Sequence, residues 1–253
     1  MFESEERGDV TILRLAHGKA SAMDIELCEG LAAKLDALER SAAKAIVLTG
    51  TGRIFSAGVD LKRLIDGGAP YVERFFPALA AAMLRLFRFE KPLVGAINGH
   101  AIAGGCVMAL ACDYRVMADG GGRIGMPEFH VGVSYPAAVV EIVRTALAPN
   151  RLAEVLILGT NWKPGEALER GIVNEIVPDE RVLERAIEMA AVMGGLPAEA
   201  FALTKRQLRA PALEFLAKHG EAIDRESFAI WRSEATLARI RDYVARTLSA
   251  PPK

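Results

Sequence analysis

Cysteine and histidine, the residues that build disulfide frameworks and zinc sites, are scarce in this 253-residue sequence. It has three cysteines, none in a C-x-x-C pair, and four scattered histidines with no spacing typical of zinc ligands. A small, odd number of thiols is more typical of a reducing cytosol than of secretion. We therefore expect a cytoplasmic chain without a metal site. The cysteines are Cys28, Cys106 and Cys112.

An excess of positive charge is also absent. Lys and Arg number 31 against 32 Asp and Glu, so the sequence lacks the basic surplus of proteins that bind a phosphate backbone. No apolar run approaches the roughly 18 residues that span a membrane. The acidic segment 1–6 lacks the apolar stretch of a signal peptide, and the Pro-Pro-Lys end is not a peroxisomal signal. We expect a soluble protein with no nucleic-acid or membrane partner.

Apolar residues, in contrast, are abundant. They make up 51% of the sequence and charged residues 25%, which suits a packed core under a wetted surface. Short β-like runs alternate with helical segments in the first two-thirds, and this favours α/β layers joined by short crossovers. Continuous apolar runs indicate strands covered on both faces. The predicted strands are 10–15, 45–49, 93–97 and 114–118, and the predicted helices are 71–89 and one that begins after an Asp24 N-cap.

From about residue 137 onward the pattern becomes mostly helical. The last predicted helix carries a set of large apolar side chains that either complete the internal core or face another subunit or an active site. These are Phe228, Trp231, Leu237, Ile240 and Tyr243. A basic helix face, which we interpret as solvated, is formed by Lys205, Arg206 and Arg209. The predicted helices are 137–147, 150–158, 164–170, 179–193, 197–209 and 213–247, interrupted by a strand at 172–177.

One nucleotide-binding motif is present but is rejected. Residues 120–125 match G-x-G-x-x-G, yet Pro127 follows at once and forces the residue before it out of the helical region. A dinucleotide site needs a helix at that point. His100 and His130 are each interpreted as hydrogen-bonded structural residues rather than catalytic ones.

Two glycine-containing turns remain as candidate functional segments. F-S-A-G-V-D-L (55–61) follows a buried strand, and K-P-L-V-G-A-I-N-G (91–99) runs into a predicted apolar helix that begins near Gly104. A helix N-terminus presents unpaired N–H groups and a partial positive charge, and glycine there leaves room for a ligand. The same turn is also an ordinary structural device, so both roles stay open at this point.

Together these segments resemble the crotonase (enoyl-CoA hydratase/isomerase) family. F-S-A-G-V-D-L resembles its first oxyanion segment, K-P-L-V-G-A-I-N-G-H-A-I-A-G-G-C its second, and G-M-P-E-F-H-V-G-V (125–133) the segment that carries a catalytic carboxylate. C-D-Y-R-V-M-A, R-L-A-E-V-L-I-L-G and E-A-L-E-R-G-I-V-N-E-I-V-P follow in the family's order. The resemblance therefore covers about residues 8–210.

The resemblance implies both a fold and an assembly. The expected fold is α/β, a crotonase-like spiral of ββα units over residues 1–195. A C-terminal helical region over 196–253 would serve in trimerisation and as a cover for the active site. The expected assembly is a homotrimer or a dimer of trimers. The expected partner is an acyl-CoA substrate, with no separate cofactor because CoA is part of that substrate.

The resemblance also implies roles for individual residues. The family's two oxyanion N–H groups fall on Val59 and Gly104, where they would hold a thioester oxygen. One of the family's carboxylate positions matches Glu128, which we predict to be catalytic. The other falls on Val107, which shares a helix face with Gly104. Apolar neighbours such as Val107 and Phe129 are expected to raise the pKa of Glu128.

Contacts to CoA are expected from the main chain of the first oxyanion segment and from basic side chains near it. Each of the two lysines involved is equally consistent with ordinary solvated charge. The predicted substrate-binding residues are Ser56, Ala57, Lys19, Lys62, Val107 and Phe129.

The missing second carboxylate bears on the type of reaction. Water addition in the family pattern uses two acidic residues, whereas one carboxylate suffices to move a proton between two carbons. We therefore favour conversion of a 3-enoyl-CoA to a 2-enoyl-CoA by Glu128, and the segments A-G-G-C and C-D-Y-R resemble the Δ3,Δ2-enoyl-CoA isomerase branch. Enoyl-CoA hydration, a non-catalytic acyl-CoA-binding relic, dehalogenation, decarboxylation and C–C cleavage stay open.

Overall fold

The computed structural model of the chain describes residues 1–247. Its strands are β1 (Phe2–Arg7), β2 (Val10–Leu15), β3 (Ala45–Thr49), β4 (Ile54–Ser56), β5 (Leu93–Ile97), β6 (His100–Ile102), β7 (Tyr114–Ala118), β8 (Ile124–Gly125), β9 (Asn161–Trp162) and β10 (Glu175–Val177). Its α-helices are α1 (Ile25–Glu39), α2 (Leu61–Phe87), α3 (Gly104–Leu110), α4 (Glu128–Val131), α5 (Ala137–Ala146), α6 (Leu152–Ile157), α7 (Pro164–Glu169), α8 (Val182–Gly194), α9 (Ala198–Trp231) and α10 (Glu234–Thr247).

The strands form two sheets that share a repeating chain path. A six-stranded sheet has the order β1-β2-β3-β5-β7-β10, and a four-stranded sheet has the order β4-β6-β8-β9. The pairs β1–β2 and β8–β9 are antiparallel, and the other neighbours are parallel. Three times along the chain, a strand of the larger sheet is followed by a strand of the smaller sheet and then by a helix. These consecutive strands are β3 and β4, β5 and β6, and β7 and β8. This path is the predicted spiral of ββα units.

The central strands of the larger sheet are buried on both faces, which explains why they are apolar. Every residue of β3 and of β5 is buried. One face packs on α8 through Val182, Ala186 and Ala190, and the opposite face packs on α1 and α2. Apolar runs with no polar alternation are the pattern that such double coverage requires. The predicted bounds of β2, β3, β5 and β7 are confirmed.

The helices α1 and α2 both begin at an aspartate cap. The Asp24 carboxylate accepts a hydrogen bond from the Leu27 N–H at 2.8 Å, as expected of an N-cap. Asp60 caps α2 in the same way through the Arg63 N–H at 3.0 Å. The prediction that this second helix begins at residue 71 was wrong by ten residues. Gly68, at φ +58°, kinks α2. The predicted helix therefore covers only the part of α2 that follows this kink.

The C-terminal helices differ from the prediction in where the chain breaks. The sequence predicts a break near Pro211, but α9 continues through that residue. A proline removes one backbone donor, and burial of Arg209 and Ala212 on either side holds the helix together. The break instead lies at Arg232 and Ser233, where the Ser233 hydroxyl accepts from the Thr236 N–H at 3.2 Å and begins α10. Near β10, the predicted strand 172–177 is shorter and begins at Glu175.

An ion-pair cluster anchors α9 to the spiral. Lys205 Nζ lies 2.6 Å from Asp113 Oδ2, and an Arg209 guanidinium nitrogen lies 3.1 Å from Asp113 Oδ1. Both cations are buried, with 6% and 8% of their surface exposed. The interpretation of this helix face as solvated was therefore wrong for Lys205 and Arg209. It holds for Arg206, which forms an exposed pair with Glu90.

Within residues 1–247, no single helix is both long and apolar enough to cross a membrane. By length and composition alone, one bent pair passes that test, Asp179–Gly194 with Ala198–Trp231, and its two parts meet at 103°.

Candidate active site

The turns that carry Val59 and Gly104 are neighbours because the strands before them are paired. In the parallel pair β4–β6, Ser56 lies opposite Ala101, so the chain leaves both strands at the same edge. The turns then touch, since a Cβ added to Gly58 would lie 3.2 Å from the Gly104 nitrogen and 2.6 Å from the Ile102 oxygen. Gly58 has a φ of +80°, which favours glycine at this position.

Two backbone N–H groups at these turns are left unpaired. The Met23 N–H donates to Gly58 O at 2.7 Å, and the Asp60 N–H donates to Met23 O at 2.9 Å. These bonds flank Val59, whose own N–H finds no acceptor within residues 1–247. Gly104 is the first residue of α3, and its N–H also lacks an acceptor in the described part of the chain. Both amides therefore remain available to a ligand oxygen.

A cavity in two parts adjoins these amides. The outer chamber has a volume of about 430 Å³ and is bordered mainly by apolar residues, together with Asp60, Lys62 and Tyr243. The inner chamber measures about 20 Å³ and includes Gly104 and Val107 in its wall. The two chambers share Val59, Glu128 and Trp231. The wall of the inner chamber therefore includes both residues with a candidate amide, Val59 and Gly104, and the candidate carboxylate of Glu128.

Glu128 stands at the first position of α4, directly after Pro127. Burial raises the pKa of the Glu128 carboxyl to about 8, and its own backbone N–H and the Tyr135 hydroxyl lower that pKa by less. The protonated and ionised forms are therefore close in free energy at neutral pH, as is favourable for a group that both takes and returns a proton. Among the residues described, no other carboxylate borders the inner chamber.

Tyr135 is the polar side chain nearest to that carboxylate. Its hydroxyl lies 3.4 Å from Glu128 Oε2 and 2.9 Å from Leu156 O. The ring packs against Phe129, with the two ring centroids 5.5 Å apart. Tyr135 was not among the predicted site residues, because no spacing rule connects it with Glu128. A left-handed turn at Gly132, with φ +77°, reverses the chain between them.

The predicted substrate-binding residues divide into two groups. Ala57 and Lys62 border the outer chamber, and Val107 borders the inner one. Lys19 is exposed and outside both linings, although its neighbour Ala20 borders the outer chamber. Ser56 is fully buried, and its hydroxyl bonds to Ser21 O and the Gly58 N–H, so it shapes the turn.

Phe129 also departs from expectation. It is 44% exposed and borders neither chamber, and its ring packs against that of Tyr135. It therefore does not form the apolar wall beside the Glu128 carboxyl. Val107 occupies such a wall position, with only 1% of its surface exposed.

The apolar set of the last helices serves mainly inside the chain. Trp231, Leu237 and Ile240 are buried in the main core, while Phe228 and Tyr243 are partly buried against it. Trp231 and Tyr243 also border the cavity, so α9 and α10 supply part of the site wall. Both residues belong to the apolar set of the last predicted helix, which was expected either in the core or at a subunit or active-site surface.

This arrangement is suited to proton transfer beside a carbonyl group. Two free N–H groups can stabilise an oxygen that gains negative charge, and a carboxyl with a pKa near neutrality can exchange a proton with an adjacent carbon. In residues 1–247, His, Cys, Asp and Glu side chains form no group of three or more that could hold a metal ion. The two free amides and the Glu128 carboxyl are the groups that suit this site to acid–base chemistry.

Comparisons with known proteins agree with the fold. The enoyl-CoA hydratase/isomerase family model matches residues 5–236. The mitochondrial enoyl-CoA delta isomerase 1 of Rattus norvegicus is 29% identical over 242 residues, which is 94% of this chain and 83% of the relative. A putative enoyl-CoA hydratase of Thermus thermophilus is 35% identical over 211 residues, which is 81% of this chain and 82% of that protein.

Among solved structures, human mitochondrial delta3-delta2-enoyl-CoA isomerase superposes with a TM-score of 0.91 at 28% identity, covering 97% of each chain. This match confirms the predicted crotonase-like fold with its C-terminal helical region. The chain belongs to the enoyl-CoA hydratase/isomerase, or crotonase, family of enzymes.

Proposed function

We propose that this enzyme converts a 3-enoyl-CoA to the conjugated 2-enoyl-CoA with Glu128 as the only proton carrier. The Glu128 carboxylate removes a proton from C2 of the acyl chain. The electron pair released from that C–H bond moves into the thioester, and the resulting dienolate oxygen accepts hydrogen bonds from the Val59 and Gly104 N–H groups. Glu128 then returns the proton to C4, and the double bond moves from C3–C4 to C2–C3.

The observation that carries this proposal is the chemistry of the inner chamber. Glu128 is its one carboxylate among the described residues, and Val107 occupies the helix position that faces it from α3. Holding and activating a water molecule for addition calls, in the family pattern, for a second acidic group at that wall. Proton transfer between two carbons calls for one carboxyl, which Glu128 supplies, and for the exclusion of water, which the apolar side chain of Val107 favours.

The two backbone amides supply the electrostatic part of the mechanism. They are held by the fold before the substrate arrives, so they stabilise the developing negative charge without reorganisation. Loss of one such donor typically lowers the rate by about 10²–10³. Because the donors are backbone groups, the side chain at position 59 is free to vary, which is consistent with valine there.

The experiment that tests the proposal is turnover of 3-hexenoyl-CoA. We expect the wild-type protein to form 2-hexenoyl-CoA, detected by the ultraviolet absorbance of the conjugated thioester, and Glu128→Gln to lose that activity. Glu141→Gln is the matched control, because Glu141 is also buried with a raised pKa but borders neither chamber. Full activity in Glu128→Gln rules out the proposed base.

Hydration of a 2-enoyl-CoA is the second candidate. It is favoured by the similarity to the Thermus protein and by 31% identity over 205 residues to carnitinyl-CoA dehydratase of Salmonella typhi. Asp60 is a second acid on the outer chamber, although it caps α2 through the Arg63 N–H. Conversion of crotonyl-CoA to the 3-hydroxyacyl-CoA at a rate comparable with isomerisation would favour this candidate. Tight acyl-CoA binding without turnover of any substrate would instead indicate a binding protein.

A further inference from the structure

Tyr135 has more hydrogen-bond acceptors around its hydroxyl than it has hydrogens to donate. Leu156 O lies at 2.9 Å, and Met126 O and Glu128 Oε2 each lie at 3.4 Å. A phenol has one hydrogen and also accepts hydrogen bonds. In the resting geometry the short contact to Leu156 O is the preferred use of that hydrogen. The phenol oxygen is then free to accept a hydrogen from a neighbouring group.

The backbone of Tyr135 is fixed, although it lies in a connecting loop. Three side chains of α9 bond to the segment 134–137, so the loop is tied to a long helix. The Trp231 indole N–H donates to Ser134 O at 2.7 Å, and the Ser227 hydroxyl donates to Tyr135 O at 3.2 Å. The Ala137 N–H donates to the Asp224 carboxylate at 2.7 Å. The phenol is thereby held at a constant place beside Glu128.

We propose that Tyr135 is a positioning residue that supports Glu128 in both of its protonation states. When Glu128 is ionised, the phenol donates its hydrogen to the carboxylate. When Glu128 has taken the proton, the acid donates to the phenol oxygen and the phenol donates to Leu156 O. Rotation of one hydroxyl group connects the two states, so the carboxyl keeps one orientation through a cycle. The need for such a cycle rests on the proposed isomerisation.

In residues 1–247, the other titratable groups near Glu128 do not form a hydrogen bond to its carboxyl. Cys106, from α3, interacts electrostatically with Glu128, but within the described residues its thiol forms no hydrogen bond to that carboxyl. Asp60, Lys62 and Tyr243 border only the outer chamber. Within the described residues, Tyr135 supplies the one side-chain hydrogen bond to the Glu128 carboxyl.

The first test is a titration of the unliganded protein followed by ¹³C NMR of its carboxyl groups, with Glu128 assigned from the Glu128→Gln variant. In Tyr135→Phe we expect the Glu128 midpoint to move up by about one pH unit, because the ionised form loses its donor. Tyr114→Phe is the matched control, since it deletes a hydroxyl that also bonds to a glutamate, Glu175, away from the cavity. We expect no movement of the Glu128 midpoint in that control.

A second measurement uses the wild-type protein alone and does not depend on the folding of a variant. The ¹³Cζ resonance of Tyr135 should titrate with the same midpoint as Glu128, because the phenol changes its acceptor there. A Tyr135 resonance that stays constant through the Glu128 titration, or an unchanged Glu128 midpoint in a folded Tyr135→Phe, overturns the proposal.

Kinetics then connect the titration to turnover of 3-hexenoyl-CoA. If the midpoint rises by about one unit, kcat/KM of Tyr135→Phe at pH 7 falls about tenfold, and the deficit shrinks above pH 9. A deficit that is the same at every pH contradicts the positioning role. Coupled titration without any isomerisation would contradict the proposed function and leave the Tyr135 assignment standing, so the two failures are distinguishable.

Discussion

Met23 forms a parallel bridge with Val59, and this bridge is what leaves the Val59 N–H free. Met23 donates its N–H to Gly58 O at 2.7 Å and accepts a hydrogen bond from the Asp60 N–H at 2.9 Å, so it is bonded to the residues on either side of Val59. The turn is therefore fixed by backbone bonds that avoid the one amide the mechanism needs. Met23 also restricts the size of the residue at position 104, because a Cβ added to Gly104 would lie 2.6 Å from the Met23 sulfur. One residue thus shapes the surroundings of both amides.

Stability should depend on pH through Glu128. Its pKa is raised from 4.5 to about 8 by burial, so the folded state holds this proton more tightly than the unfolded state does. The free energy of unfolding therefore falls as the pH rises from about 4.5 through about 8. We expect Glu128→Gln to be more stable than wild type by about 3–5 kcal/mol at pH 9 and to match it near pH 4. Denaturant unfolding at both pH values measures the difference.

Glu26 provides the control of opposite sign for that experiment. A hydrogen bond from Arg63 lowers the pKa of this exposed carboxyl, so Glu26→Gln should cause a small loss of stability at neutral pH that fades on acidification. A Glu128→Gln difference that does not grow with pH would contradict the raised pKa.

The buried ion pairs of α9 should matter for stability. Asp113→Asn would leave the Lys205 and Arg209 cations buried without their counter-ion, and the expected loss is about 3–5 kcal/mol. The exposed pair of Arg206 and Glu90 serves as the comparison, with Glu90→Gln expected to change stability by less than about 1 kcal/mol. Thermal and denaturant unfolding of the two variants tests this, and equal losses would contradict it.

Lys62 and Lys19 should differ in their effect on substrate binding. Lys62 borders the outer chamber and Lys19 does not, so only Lys62 is placed to meet a phosphate of CoA beside the cavity. We expect Lys62→Ala to raise KM several-fold with little change in kcat, and Lys19→Ala to change both by less. Steady-state kinetics at two salt concentrations checks this, because a charge interaction weakens as salt is added. A larger effect in Lys19→Ala would reverse the assignment.

The trimeric assembly implied by the family resemblance stays a prediction. Leu203 and Leu208 on α9 are 50% and 71% exposed, which leaves apolar surface that a neighbouring subunit could cover. Light scattering should report three or six times the mass of one chain. The mass of a single chain would contradict the prediction.

The sequence was most informative where one physical requirement dominates. Buried strands such as β3 and β5 are predicted to the residue, because a sheet covered on both faces requires continuous apolar runs. The Asp24 cap is also predicted, since it is a local hydrogen bond. The roles of the Val59 and Gly104 amides came from the family resemblance, and the pairing of β4 with β6 explains why the two turns are neighbours.

Features that depend on tertiary packing could not be predicted in this way. Pro211 lies inside a continuous helix because buried neighbours outweigh its local effect. The burial of Lys205 and Arg209 depends on Asp113, which is far away in the sequence. The contact of Tyr135 with Glu128 depends on the reversal at Gly132 and on bonds from α9, so no local pattern indicates it.

Transfer of deuterium within the substrate is the most direct test of a single carboxyl that carries a proton from one carbon to another. With 3-hexenoyl-CoA deuterated at C2, the proposed mechanism predicts that part of the label appears at C4 of the 2-hexenoyl-CoA product in ordinary water, and that Glu128→Gln abolishes both product and transfer. A product that carries only solvent hydrogen at C4, formed at an undiminished rate by Glu128→Gln, would contradict the account.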